Sequence, residues 1–177
     1  MKQIMRGQRS KLSDLVASTV IQIGVFVAGS AGQTFDLSCF GVDSNNQLSD
    51  ERYFIFYNQK TSPEGAIRLI GGQNGDLETF LLGFSRLPKT IKKLVFTISL
   101  DGSGTMSQIS RGYLRLMDGE VEQARFSFSG QDFNSEKAVI VAELYFKEVW
   151  RFVAVVQGFD GGLGELLKHF GGKEATA

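Results

Sequence analysis

AVIVAELYF (Ala138 to Phe146) and WRFVAVVQ (Trp150 to Gln157) lie three residues apart near the end of the chain. Both runs are dense in Val, Ile and aromatic residues, which suit a pleated, half-buried surface, and both have the length of strands. A connection this short leaves room only for a reversal, so the pair reads as neighbouring strands of a hairpin. Outward from it, apolar residues recur with period two in segment after segment, the spacing at which side chains leave opposite faces of a strand. Ile21, Ile23, Val25 and Val27 form one such face, and Phe35, Leu37 and Cys39 another, with Asp36 and Ser38 on the reverse side. YFIFYN (Tyr53 to Asn58), LVFTISL (Leu94 to Leu100), GYLRLMD (Gly112 to Asp118) and ARFSFSG (Ala124 to Gly130) follow the same rule. Ala66 to Ile70 and Leu77 to Leu82 are weaker cases. The spacing predicts an all-β, antiparallel β-sandwich of about ten short strands.

Turn chemistry falls between these runs. Ser62-Pro63-Glu64-Gly65 has the Pro and Gly placement of a type I turn, and Asp101-Gly102 and Asp118-Gly119 mark further reversals. The tail alone reads as a helix: Leu163, Leu166, Leu167 and Phe170 share one face, and Gly171 supplies a stop. No Pro- or Ser-rich linker or internal repeat divides the chain, so residues 1–177 are expected to form a single domain with frayed ends at about 1–10 and 173–177.

The composition restricts function. With 19 basic and 19 acidic residues the formal net charge is zero, which implies no basic surface seeking partners and argues against nucleic acid. Two prolines, 21 glycines and 15 phenylalanines fit many turns around an aromatic core. Cys39, the single cysteine, cannot form an intramolecular disulfide, and the N-terminal residues lack the apolar stretch of a secretory signal; a cytoplasmic location without membrane insertion is expected.

Candidates for chemistry are few. His169 sits on the helix beside Phe170, and Cys39 lies on an apolar strand face where burial raises a thiol's pKa, so neither is expected to catalyse. The Gly-rich GFDGGLGELL (Gly158 to Leu167) runs from strand to helix but lacks the later strand and acidic residue of a dinucleotide fold, and reads as a tight turn. VDSNNQLSDE (Val42 to Glu51) imitates half of a calcium loop through Asp43, Asn45, Gln47 and Ser49, but has Leu48 where the loop needs Gly and Phe54 where it needs Glu. Lys89, Lys92 and Lys93 read as a solvated strand edge.

Taken together, RGQRSKLSDL near the start, FDLSCFGVD, LSDERYFIFYNQKTSPEGAI, LPKTIKKLVFTISLDG, SQISRGYLRLMDG, AELYF and VVQGFDGGLGELLKHFG resemble the TerD family of tellurium-resistance and general stress proteins, and more particularly its TerA-like branch. The resemblance covers Arg6 to Gly172. It implies a β-sandwich, a bacterial origin, a role in resistance to tellurite and other stresses, and no catalytic residues to carry over. Several family members bind calcium through loops rich in Asp, Gly and Asn. Here the matching stretch is IGGQNGDLETF, with Asp76 and Glu78 as its carboxylates, while Asp36 matches the family's first strand aspartate and Ser38 replaces its second. Asp36, Asp76 and Glu78 are therefore the candidate metal ligands, expected to hold calcium weakly or not at all, and no other cofactor is expected. A non-catalytic binding or assembly module, working with other stress-response proteins, is the leading expectation; a calcium- or small-ligand-binding sandwich is the alternative.

Overall fold

Period-two alternation becomes two sheets packed face to face. The computed structural model describes residues 1–172. In chain order the strands are β1 (Lys2–Ile4), β2 (Arg9–Lys11), β3 (Val20–Ala28), β4 (Thr34–Val42), β5 (Phe54–Ile55), β6 (Ile67–Leu69), β7 (Glu78–Gly83), β8 (Lys93–Asp101), β9 (Arg111–Asp118), β10 (Val121–Phe128), β11 (Ala138–Lys147) and β12 (Val149–Phe159), followed by the helix α1 (Gly162–His169). Sheet A runs β1-β10-β9-β3-β7-β6 and sheet B runs β2-β12-β11-β8-β4-β5.

The faces turned toward each other are apolar because each strand places every second residue there. Ile21, Ile23 and Val25 of β3, Phe80 and Leu82 of β7, and Leu114 and Leu116 of β9 meet Leu94, Phe96 and Ile98 of β8 and Cys39 of β4, all of them buried. Phe80 and Phe96 touch edge to face across the sheets, with ring centroids 5.4 Å apart. A bulge in β12 opposite Val141 breaks the alternation and puts Val156 at φ 53, and Arg6 donates to its carbonyl oxygen at 2.9 Å.

The helix forms where its periodicity predicts. Leu166 and Phe170 are fully buried against the outer face of sheet B, where α1 contacts β8, β11 and β12 and the Phe170 ring lies 5.0 Å from that of Phe40. Gly171, at φ 73, donates its N–H to the Lys168 carbonyl, and Gly172 donates to that of Leu167, which ends the helix.

Two expectations change. The first ten residues are not frayed: β1 pairs with β10, parallel rather than antiparallel, and β2 pairs with β12. Tyr53–Asn58 contributes strand only at Phe54–Ile55, because Asp50 caps a 3-10 turn over Glu51–Tyr53. The other expected frayed end, 173–177, lies outside the described residues.

Candidate functional site

The three candidate ligands fall on different surfaces. Asp36 lies on the outer face of sheet B, paired with Ser99 and diagonal to Asp101, which pairs with Thr34; burial raises its carboxyl above the usual range, and the Asp101 charge adds to the shift. Glu78 opens β7 opposite Val25 on sheet A, and burial raises its carboxyl too, opposed by Lys60. Asp76 lies on the loop before β7 and turns its carboxylate over the other side of that sheet. The structure does not bring the three together, and among the described residues no group of three or more His, Cys, Asp or Glu side chains is placed to hold a metal.

Asp76 is held by arginine and tyrosine. On the outer face of sheet A, Thr79, Gly24 and Arg115 stand side by side in β7, β3 and β9, and Arg125 of β10 extends the row. Gly24 is required here: a Cβ would lie 2.0 Å from Asp76 Oδ2. The Asp76 carboxylate takes that space. Arg115 Nε lies 2.9 Å from its Oδ1, Arg115 Nη2 donates to Oδ2 at 3.1 Å, and the Tyr113 hydroxyl donates to Oδ1 at 2.8 Å. Arg115 also donates to the Asn74 carbonyl, tying down the 71–76 loop, and to Glu122 at 2.9 Å. Glu122 in turn accepts two bonds from Arg125, and these hold its carboxyl below the usual range. Burial pushes the Tyr113 phenol up, and its bond to Asp76 adds to that.

Beside this network runs an aromatic ladder. Phe26 and Tyr113 are directly paired across β3 and β9, and their rings stack at 5.4 Å and 15°. The Arg125 guanidinium lies 4.0 Å from the Tyr113 centroid and that of Arg111 lies 5.0 Å from the Phe26 centroid. Arg68 of β6 shares the face through its pairing with Leu81. Among the described residues, four arginines thus face two carboxylates, Asp76 and Glu122, on this side of a chain with no net charge. The zero balance conceals a basic face, contrary to the inference from composition. Period two in GYLRLMD and ARFSFSG already set Arg115 and Arg125 on the polar side of their strands. The Asp118-Gly119 reversal was the signal that would have put those two sides next to each other.

The remaining candidates are structural. Cys39 is fully buried, and burial drives its thiol far above the usual range. His169 is exposed on α1 and packs edge-on against Phe159 and Phe170. Asp43 closes a local turn by accepting from the N–H groups of Asn45 and Gln47. Lys92 stacks on Phe146, and Lys93 lies 3.8 Å from Glu143. Separately, a groove of about 590 Å³ between α1 and the β5 region is lined by Leu48, Phe54, Phe56, Leu163 and Leu167.

Two six-stranded sheets packed face to face, with one outer face under a helix, define a β-sandwich domain. The chain belongs to the TerD family, whose TerD domain matches residues 1–170. It is 32% identical to the uncharacterized protein YceE of Bacillus subtilis over 96% of this chain and 97% of that one. It is 29% identical to the tellurium resistance protein TerD of Serratia marcescens over 92% of this chain and 91% of that one. A crystal structure of a TerD homologue from Streptomyces coelicolor superposes with a TM-score of 0.64 at 17% identity, over 84% of this chain and 94% of that one, which shows the shared fold.

Proposed function

We propose that this chain is a non-catalytic binding module of a bacterial stress response that includes tellurite resistance, acting in the cytoplasm through other stress-response proteins. The observation that carries the reading is the inequality of the two outer faces: α1 covers that of sheet B, whereas that of sheet A presents a half-buried aromatic ladder framed by arginines. Aromatic and arginine side chains in this arrangement supply most of the energy at protein interfaces. Within the family we place the chain in the TerA-like branch, on the segments that carry the resemblance; a tree grouping it with TerD sequences would overturn that placement.

The test is site-specific photo-crosslinking in cells exposed to tellurite, with the reactive residue at Ser127 on the sheet A face or at Lys168 on α1. Adducts from Ser127 and none from Lys168 are expected. Adducts from Lys168 alone would move the docking side to the helix. A second reading, a small-ligand module, is favoured by the apolar groove beside β5. Saturable binding of an apolar fluorescent probe, lost in Leu167→Asp, would support it.

A further inference from the structure

We infer that Arg111, Phe26 and Tyr113 form a seat for an acidic segment of a partner protein, with Arg111 receiving a carboxylate and the two rings receiving an adjacent apolar side chain. This rests on the reading of the sheet A face as the docking side. The three arginines of the ladder are not equivalent. Arg115 and Arg125 share Asp76 and Glu122, and their charges are met within the fold. Arg111 enters none of the ion pairs among the described residues and is exposed, yet its guanidinium is held 5.0 Å from the Phe26 ring centroid. A guanidinium held over a ring and outside any ion pair keeps N–H donors to spend, and these match a carboxylate with two parallel hydrogen bonds. Stacking also limits the freedom the side chain has left to lose on binding.

Charge selects the occupant. The face carries excess positive charge, so an acidic segment is attracted and a second copy of the same face is repelled. A polyanion such as nucleic acid needs a continuous basic track, and Asp76 and Glu122 interrupt this one. An acidic peptide with an apolar residue between its carboxylates fits both the free guanidinium and the rings.

The probe is a fluorescein-labelled Glu-Glu-Phe-Glu-Glu-Leu-Glu peptide, titrated with the whole protein by anisotropy at low and high salt. Its Gln-for-Glu counterpart and a single-stranded oligothymidylate of equal length are run alongside. The acidic peptide should bind in a salt-dependent way and the Gln peptide should not. Arg111→Glu should weaken binding about tenfold or more, Phe26→Ala severalfold, and Lys168→Glu on the opposite side not at all. Arg111→Gln serves as the second variant if Arg111→Glu does not fold, as judged by its melting curve. The inference is overturned if the acidic peptide fails to bind, if Arg111→Glu and Arg111→Gln bind it like the native protein, or if the oligothymidylate binds more tightly. Crosslinks from Ser127 without peptide binding would defeat the acidic seat and leave the docking side standing.

Discussion

Asp76 shows what a single residue's surroundings do to its chemistry. Its side chain is 1% exposed and that of Arg115 is 10% exposed, so each charge depends on the other. Asp76→Ala leaves the Arg115 guanidinium with Glu122 as its remaining carboxylate partner and takes away its charge-assisted bonds on the other side, and should cost about 1.5 to 3 kcal/mol in denaturant unfolding. Gly24→Ala should destabilise by the same route, since its methyl group displaces the carboxylate from the arginine. The same occupation speaks against a tight cation site. Calcium draws affinity from several negative ligands among roughly six to eight oxygens, so calorimetry on chelator-treated protein should show dissociation near the millimolar range or no binding. Micromolar affinity lost in Asp76→Ala would refute this. Asp36 gives a pH prediction of definite sign. Its folded pKa is raised by burial and by Asp101, so ionisation weakens the fold: the penalty is present above the folded pKa and is gone below the unfolded value near 3.8. Asp36→Asn should therefore stabilise by a few tenths of a kcal/mol at pH 7, because the site is partly solvated, and lose that gain at about pH 3. A gain that grows on acidification would contradict the assignment.

Among the elements, α1 has the clearest dependence on one side chain. Leu166 is wholly buried between the helix and sheet B, and Leu166→Ala should cost about 2 to 5 kcal/mol in urea unfolding; a loss below about 0.5 kcal/mol would mean that the helix does not dock. This helix was legible because four apolar residues at helical spacing precede a glycine. The longer strands were legible for the corresponding reason, since alternation over eight or more residues has one reading. Lys2-Gln3-Ile4 and Arg9-Ser10-Lys11 carry no such pattern. They are strands because β10 and β12 offer free edges, a cause that lies more than a hundred residues away. The site divides in the same manner. Asp76 was singled out as a carboxylate, but its partners come from β9, and Arg111 gains its meaning from Phe26 on β3. Strand adjacency, which period two does not encode, made the difference.

At the scale of the molecule, the N-terminal segment ties the two layers together: β1 joins sheet A, β2 joins sheet B, and Gly7 donates to the Ala154 carbonyl between them. Removing Met1–Met5 should expose the edge of β10 and the pocket of Ile4, which is 4% exposed. The expected loss is about 1.5 to 3 kcal/mol for the isoleucine alone, with concentration-dependent association of the bared edge visible by light scattering. A truncated chain as stable and monodisperse as the whole would show that β1 adds nothing. The arrangement also sets an order of events. Lys2 lies against Ala124 and Ser10 against Phe152, so residues made early in synthesis wait for partners made late. Loops of that span close slowly, and they close after the local hairpins have formed. During synthesis, therefore, β1 and β2 have no edge to join until β10 and β12 have left the exit tunnel, and the two ends of the sandwich can be tied together only when the chain is nearly finished.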